Sequence, residues 1–572
     1  MKNLFSKIKN ALRNGLTEKQ FAWTVFALVL FKLALCAVQM LHIYPGETPI
    51  DDDWLFAAAK SIGEGRWLGD YNWLTLTKNM FFSVWIWLLH TLRIPYLIGN
   101  QLLYLAGCLV LVRALDGFIV KGRSRLLLVF AVVWFSPYSW ATETLRIYRD
   151  SIMPQLVLLF FAGMLGFCLR CRQPAKNAAG FAVAAGLGFG LAYITKDDGV
   201  WLLPFAGCAA LAFLLFVFLD KEQSLRQKAA KLLITVLFAA CAYAPIGAYS
   251  AMNYIYYGRY ITTEISAPEF VNALNAMRRA DTDLPHTGNF VCYATRQKLS
   301  AAVPSMAALD AYLDDGDYYH GYGDPDTREF VHGGFFFMVK KAAYDAGFAT
   351  TAAEAQTYFT QLAADINAAC DSGLIETDQP DRDDSISGML TPYDPSYLAP
   401  TLRECLNSLR ALMLFEQTSP FAPLSYATPE QASEYHRYFY CLSSYSAKAG
   451  TDEADYYFVQ RVTGGIQIGI TWLYRIAVWP ALACFFLFFA RRIRAFFRDR
   501  RERGGPQGLF TVLLLGILLS ILLRVGIVSY VEAVNFHIGT QLHYLTGAGV
   551  LLIVCCALGA EAALRTGGKK AP

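Results

Sequence analysis

Three consecutive carboxylates, Asp51, Asp52 and Asp53, stand in an aromatic loop that directly follows the first long apolar segment of the chain. A carboxylate in such a loop can take a proton from an acceptor hydroxyl, and two neighbouring carboxylates can hold a divalent cation through their oxygen atoms. The aromatic and basic residues of this loop, residues 48–82, include Trp54, Arg66, Trp67, Tyr71, Trp73 and Lys78. This composition is typical of a site that holds a cation or a sugar. The alternative is a solvated loop whose tryptophans anchor it at the membrane interface.

Charged side chains also stand at the ends of other apolar segments. They are Arg146 and Arg149 in the loop 143–151, Lys196, Asp197 and Asp198 in the turn 195–199, and His543, beside Tyr544, before the last apolar segment. Charged groups held this close to a bilayer are costly and tend to be functional. Lysine and arginine in these positions can bind a phosphate or diphosphate group. For the turn 195–199, a hairpin with solvated charges is the alternative.

The composition excludes an ordinary soluble protein. Of the 572 residues, 55% are hydrophobic and only 17% are charged. Apolar segments long enough to cross about 30 Å of hydrocarbon occur at 22–42, 95–115, 126–142, 152–169, 179–194, 200–219, 229–251, 466–490, 508–530 and 539–560. The sequence therefore predicts an α-helical polytopic membrane protein with about ten transmembrane helices. An eleventh apolar run, 79–92, is too short to span and is predicted to be an interfacial helix in the first outer loop.

The distribution of basic residues predicts the orientation of these spans. The first nineteen residues contain five lysines and arginines and no small-residue cleavage site, which favours an uncleaved first helix with a cytoplasmic N-terminus. With ten spans, the inner segments contain 25 lysines and arginines, and the short outer loops contain 6. Counting 79–92 as a full span would invert every later loop and place the basic segment 491–503 outside. We therefore expect a multi-pass protein of the plasma (inner) membrane with both termini in the cytoplasm.

Three regions follow from this topology. Residues 1–251 form an N-terminal membrane domain that carries the catalytic first outer loop (43–79), residues 252–465 an extracytoplasmic domain, and residues 466–572 the C-terminal membrane helices and tail. The block 252–465 contains 28 acidic and 14 basic residues, which argues against nucleic acid or anionic lipid as its partner. Helical periodicity and a capping box at Thr351 and Glu354 predict that this block is compact and mostly helical.

Other sequence signals are narrower. The glycine and alanine residues of segment 184–193 predict close packing between membrane helices.

The cysteines of the outer block are Cys292, Cys370, Cys405 and Cys441. They allow one or two disulfides, with the connectivity open. No Walker loop, HExxH, GxSxG or Rossmann glycine pattern occurs, so cytoplasmic nucleotide chemistry is not expected.

Together, these residues supply the parts of one reaction. A carboxylate base, a cation held by neighbouring acids and a basic phosphate site are what is needed to move a sugar from a polyprenyl phosphate to an acceptor outside the cytoplasm. The chain also resembles the GT-C superfamily of integral membrane glycosyltransferases, which use lipid-linked sugars, and within it a group of bacterial membrane proteins. The segments that carry the resemblance are DDWLFAAAKSIGEGRWLGDYNWLTLTK, LRIYRD, TKDDGVWLLP, NYIYYGRYITTEISAPEF and GGFFFMVKKAAYDAG.

The resemblance implies a role for each matched residue. Asp52 and Asp53 match the acidic pair, which implies a catalytic base and a ligand for Mg or Mn. Substrate-binding roles are implied for Lys78 of the TLxK motif, Arg146, Arg149, the turn of Lys196, Asp197 and Asp198, and His543 with Tyr544. The turn is basic-acidic-acidic where relatives often carry Arg-Glu-Glu. This sequence has NMFFS where relatives often have GPGYP, and His543 where an arginine is expected.

The implied activity is an inverting, metal-assisted transfer from a polyprenyl-phosphate-linked sugar to an envelope glycan, lipid or protein, with no nucleic acid involved. A multi-pass transporter or flippase is the alternative. It would carry paired intramembrane charges, broken helices and similarity between its halves, none of which is evident in the sequence. A non-enzymatic envelope protein with an acidic outer domain would not need ten spans as an anchor.

Overall fold

The computed structural model describes residues 15–46, 50–280, 291–330, 334–377, 395–446, 454–499, 503–540 and 542–566. Most of the basic N-terminal segment and the tail from residue 567 lie outside these ranges. In chain order the α-helices are α1 Glu18–Ala37, α2 Asp52–Gly63, α3 Phe81–Thr91, α4 Tyr96–Leu115, α5 Arg123–Trp134, α6 Met153–Leu169, α7 Ala175–Thr195, α8 Leu203–Leu219, α9 Leu225–Tyr257, α10 Pro268–Arg279, α11 Tyr293–Ala302, α12 Pro304–Leu313, α13 Gly334–Asp345, α14 Ala352–Asp371, α15 Leu398–Leu414, α16 Pro429–Phe439, α17 Phe458–Arg498, α18 Pro506–Val531 and α19 Thr546–Thr566. Strands β1 (Gly323–Asp324) and β2 (Glu329–Phe330) form one antiparallel pair.

The chain is a multi-pass helical membrane protein. Within the described ranges, eight helical segments are long and apolar enough to cross a membrane. They are Glu18–Ala37, Tyr96–Leu115, Ala175–Thr195, Asp197–Leu219, Leu225–Tyr257, Phe458–Arg498, Pro506–Val534 and Leu542–Arg565. A ninth span results if Arg123–Trp134 and Pro137–Leu145, which meet at 56°, are counted as one. The break is expected because Pro137 cannot continue the hydrogen-bond ladder of α5.

Two predicted apolar segments form shorter helices. Residues 152–169 correspond to α6, whose 17 residues extend about 25 Å, slightly less than the hydrocarbon thickness. All of its residues except Leu159 are buried, so protein rather than lipid surrounds it. The run 79–92 forms α3, an 11-residue helix, in agreement with the prediction that it is too short to span.

The predicted close packing of the glycine-rich segment is confirmed. A Cβ atom at Gly188 of α7 would lie 2.6 Å from the backbone nitrogen of Phe160 in α6. On another face of α7, a Cβ at Gly186 would lie 2.6 Å from the Phe238 carbonyl oxygen of α9. Only glycine permits the backbones to approach so closely, and α7 is therefore held between α6 and α9.

The block 252–465 contributes to two hydrophobic cores. Helices α10 to α14 enclose a core that includes Phe270, Leu309 and Phe359. Residues of α15 and α16, such as Leu412 and Phe439, join the core of the membrane helices instead. The predicted capping box at the start of α14 is confirmed. Of the four cysteines for which disulfides were considered, Cys405 and Cys441 are free thiols.

A buried ion pair attaches the outer helices to the aromatic loop. Lys340 of α13, which is 1% exposed, donates to Glu264 at 2.7 Å and to the Thr75 carbonyl of the loop. Glu264 also accepts from the Tyr71 hydroxyl at 3.0 Å, and its backbone nitrogen donates to the Leu76 carbonyl at 2.7 Å. The part of the aromatic loop that leads to Lys78 is therefore positioned by the outer helices as well as by the membrane helices.

Replacing Lys340 with methionine is expected to destabilise this attachment by about 3–5 kcal/mol, because the buried Glu264 carboxylate would lose its counter-charge. The matched control is Lys341→Met. Lys341 is half-buried and pairs with Asp345 one turn along the same helix, which is worth about 0.5 kcal/mol or less. Thermal unfolding of the purified protein measures both changes. Equal effects of the two substitutions would contradict a positioning role for Lys340.

Candidate active site

The acidic loop places its carboxylates at the start of α2. Asp51 directly precedes the helix, and Asp52 and Asp53 lie in its first turn, where the positive end of the helix dipole favours negative charge. Lys78, at the other end of the loop, donates to the Ile50 carbonyl at 2.8 Å and pairs with Asp51. The phenyl ring of Phe337 from the outer helices lies 5.3 Å from the same ammonium. The loop therefore brings Lys78 and the carboxylates together.

Arg146 holds Asp52 through a bidentate ion pair. Its Nε donates to Asp52 Oδ2 at 2.8 Å, and its Nη2 donates to Oδ1 at 2.7 Å. The guanidinium is stacked between two rings, 4.4 Å from Tyr148 and 5.0 Å from Tyr44. Asp52 is only 4% exposed. This geometry fixes the orientation of the Asp52 carboxylate.

The pKa values of the neighbouring carboxylates Asp51 and Asp52 are shifted in opposite directions. Burial raises the pKa of Asp52 to about 6, the Arg146 pair opposes this shift, and the charges of Asp51 and Asp53 add to it. Burial also acts on Asp51, but Lys78 and the two arginines Arg149 and Arg146 outweigh it, so that its pKa is lowered. Near neutral pH, Asp51 is a permanent anion. Asp52 is an ionised carboxylate with a pKa close to the range in which a general base works best.

A second ion pair connects the loop 143–151 with the turn after α7. Arg149 lies in the short helical turn Arg149–Ser151, is buried, and donates to Asp197 Oδ2 at 2.8 Å. The other Asp197 oxygen accepts from the backbone nitrogen of Asn79, which directly follows Lys78. Arg149 keeps a buried Nε without a partner. The guanidinium therefore retains the capacity to donate to a ligand.

Lys196 lies at the centre of the charged residues. Its ammonium donates to Asp150 Oδ1 at 2.5 Å, lies 3.9 Å from Asp198 Oδ2, and lies 4.1 Å from the centre of the Tyr544 ring. Lys196 is 5% exposed. Its position is set by α7, which ends at Thr195, and by the short helix Asp197–Leu202 that follows.

Sequence reasoning missed a further cation, Arg524. It lies within α18, is 3% exposed, and pairs with Asp198 at 2.7 Å. Its Nε donates to the Tyr544 carbonyl at 2.8 Å. The signal was present in the sequence, because Arg524 is the single charged residue of the apolar run 508–530 and isolated charges within a span are usually functional.

Asp53 and His543 have described contacts with other residues. Asp53 accepts from the Gly46 backbone nitrogen at 2.8 Å and from the Tyr435 hydroxyl at 3.4 Å. His543 Nδ1 lies 4.0 Å from Glu143, and its ring contacts that of Tyr544 at 3.9 Å. The described contacts of Asp53 thus face α16 and the segment that follows α1, and His543 interacts electrostatically with Asp150 and Lys196.

A cavity of 260 Å³ lies beside these ion pairs. Its basic lining residues are Arg149, Lys196 and Arg524, and its acidic ones are Asp197, Asp198 and Glu532. An apolar groove of 710 Å³ lies between α8 and α18 and is lined by residues such as Phe205, Leu519 and Leu523. Ile527 lines both the cavity and the groove. A charged chamber and a long apolar groove therefore adjoin each other along α18.

The ion pairs of Asp51 and Asp52 occupy carboxylate oxygens that a divalent cation would need. Both oxygens of Asp52 accept from Arg146, and Asp51 is paired with Lys78. Among the described residues, no group of three histidine, cysteine or acidic side chains converges. Arg146 therefore already neutralises Asp52, one of the two acids (with Asp53) that were predicted to bind Mg or Mn.

Comparison with known proteins gives similarities to solved structures at low sequence identity. No protein-family model matches the sequence, and none of the curated proteins matches it. The apo crystal structure of ArnT from Cupriavidus metallidurans is similar over 90% of this chain and 78% of that one, with 12% identity and a TM-score of 0.29. The structure of ArnT from the same organism bound to undecaprenyl phosphate is similar over 96% and 79%, with 11% identity and a TM-score of 0.28. At this level of similarity, the function has to be inferred from the site itself.

Proposed function

We propose that this chain is a membrane glycosyltransferase that moves a sugar from a polyprenyl-phosphate donor to an acceptor outside the cytoplasm. The observation that supports this most directly is the charged cavity adjoining an apolar groove. A polyprenyl phosphate has the matching shape, with an anionic head and a long hydrocarbon tail. Arg149, Lys196 and Arg524 would bind the phosphate, and the groove between α8 and α18 would accept the first isoprene units.

The ion pairs suggest how the transfer proceeds. Asp52 takes the proton from the acceptor hydroxyl as its oxygen attacks the anomeric carbon, and Arg146 keeps the carboxylate oriented. The bond from the anomeric carbon to the phosphate oxygen breaks at the same time, and its electron pair remains on the phosphate. The three cations of the cavity stabilise this leaving group. Attack from the side opposite the phosphate inverts the anomeric configuration.

We place the protein in the plasma (inner) membrane with both termini in the cytoplasm and residues 252–465 outside. The excess of lysine and arginine in the inner segments supports this orientation. The site then faces the compartment that contains envelope glycans, lipids and secreted proteins, and one of these classes supplies the acceptor. The lipid bilayer itself delivers the donor laterally to the groove.

Transfer in detergent solution tests the proposal. Purified full-length protein is incubated with a panel of polyprenyl-phosphate sugars and with glycan, lipid and peptide acceptors, and products are identified by mass spectrometry. Formation of a glycosylated acceptor together with free polyprenyl phosphate would support the transferase. A flippase gives no product without a closed membrane. If the protein forms no product but moves lipid-linked sugars across the membrane of reconstituted vesicles, the proposal is wrong.

The raised pKa of Asp52 predicts how transfer depends on pH. Only the ionised carboxylate can accept a proton, so the rate is expected to be constant above about pH 7 and to fall about tenfold per pH unit well below pH 6. The kcat/KM profile from pH 4.5 to 8.5 measures this. An Asp52→Glu variant that retains activity should shift the midpoint of the profile, and a profile unaffected by that substitution would assign the titration to another group.

A further inference from the structure

A second cavity lies at the opposite end of the membrane helices. Helices α4 and α6 begin near the candidate active site, where the Tyr96 hydroxyl donates to Ser151 at 2.6 Å, and α7 returns to it at Lys196. The far ends of α4 and α6 and the start of α7 surround a cavity of 690 Å³. The 20 residues of α4 separate the two ends by about 30 Å. This second cavity is therefore separate from the site proposed for transfer.

Its polar lining is exclusively basic or neutral. Arg113 at the end of α4, Arg170 at the end of α6 and Lys176 in the first turn of α7 line it, together with Gln173 and Asn177. No lining residue is acidic. Asp116 interacts electrostatically with Arg170 but does not line the cavity. The candidate active site differs in this respect, because each of its cations is paired with a carboxylate.

Arg170 is preorganised in this cavity. Its Nη1 donates to the Gly166 carbonyl at 2.9 Å and its Nη2 to the Arg113 carbonyl at 2.8 Å. The guanidinium stacks 4.0 Å from the Phe181 ring. Because carbonyl groups and a ring hold it, the charge of Arg170 is fixed in place without being neutralised. The N-terminus of α7, a 21-residue helix, adds the positive end of its dipole beside Lys176.

The rest of the lining is apolar and faces the membrane. Leu109 and Val110 lie one turn further into α4, and Gly180 and Phe181 lie one turn further into α7. Leu109 is 46% exposed on the helix surface. A small soluble anion would make no favourable contact with these apolar residues. A phospholipid has a phosphate at the level of the basic residues and acyl chains at the level of the apolar ones.

We propose that this cavity binds the phosphate headgroup of an anionic membrane phospholipid, with Arg113, Arg170 and Lys176 around the phosphate and the acyl chains against Leu109 and Phe181. The site belongs to the leaflet opposite the candidate active site. Its occupancy does not depend on the glycosyltransferase activity proposed above. A bound lipid would connect the ends of α4, α6 and α7, the three helices that carry the catalytic loops at their other ends.

Lipid binding to the purified full-length protein tests this proposal. The wild type in detergent micelles is titrated with phosphatidylglycerol or with phosphatidylcholine of the same acyl chains, and bound lipid is measured by native mass spectrometry. Inorganic phosphate is added as a competitor. We expect at least about tenfold tighter binding of one phosphatidylglycerol than of phosphatidylcholine, and no displacement by millimolar phosphate. Removing two cations in Arg113→Gln/Lys176→Gln should weaken phosphatidylglycerol binding about 10- to 30-fold.

The matched control is Lys221→Gln/Arg226→Gln, which removes two exposed cations from the same end of the helices but outside the cavity. It should bind phosphatidylglycerol as the wild type does. Equal binding of the two lipids by the wild type would overturn the proposal without any variant. Equal losses in both double variants would show non-specific attraction, and competition by phosphate would show a soluble-anion site; either result contradicts a lipid headgroup site.

Discussion

Substitution of Asp52 by asparagine is expected to reduce sugar transfer by about two to four orders of magnitude, the usual contribution of a positioned general base. Asparagine retains the shape of the side chain and one acceptor oxygen for Arg146, but it cannot accept the proton of the attacking hydroxyl. The measurement is kcat/KM for transfer in detergent, with the lipid-linked donor quantified beside the product. In cells, the same variant should accumulate the donor.

Two comparisons separate catalysis from folding in this experiment. Asp70→Asn removes a carboxylate of the same loop whose side chain is 95% exposed, and it should leave transfer unchanged. The thermal unfolding midpoint shows whether Asp52→Asn alters stability through Arg146, which would lose its buried counter-charge. If Asp52→Asn unfolds normally and still transfers at the wild-type rate, Asp52 is not the base.

Substitution of Arg524 by methionine is expected to destabilise the protein by about 3–5 kcal/mol and to abolish donor binding. Arg524 and Asp198 form a pair at 2.7 Å in which the arginine is 3% exposed. Removing Arg524 leaves Asp198 with the more distant Lys196 ammonium, at 3.9 Å, as its nearest described counter-charge. The unfolding midpoint in detergent measures the first effect, and binding of a polyprenyl phosphate measures the second.

A double variant separates the effect on stability from the effect on donor binding. Arg524→Met/Asp198→Asn removes both charges, so most of the stability should return, whereas donor binding should not. Arg475→Met is the control within a span, since the Arg475 guanidinium donates to the Phe415 carbonyl at 3.0 Å and should be less costly to remove. If the double variant recovers donor binding along with stability, Arg524 has only a structural role.

The helical membrane fold could be predicted because each span requires its own apolar run and each short loop its own charge pattern. The number of membrane spans in the structure differs from the predicted number because of residues 136–145 and 153–169. In the first case Pro137 breaks a predicted span, and in the second the helix α6 has only 17 residues and is surrounded by protein. Hydropathy measures how apolar a segment is, but it does not distinguish lipid from a protein interior.

The candidate site was predictable only in part. The sequence by itself determined that Asp52, Lys78, Arg146, Arg149 and Lys196 stand at one end of the spans, since the ends of successive membrane helices alternate between the two faces. Which of them meet was decided by the tertiary structure, through the rotation of each helix about its axis. Successive residues of a helix point about 100° apart, so Asp52 is directed to Arg146 while its neighbour Asp53 is directed to Gly46 and Tyr435. The same rotation brings Arg524 from within α18 to Asp198, a pairing between residues more than 300 positions apart that only the packing of the helices can specify.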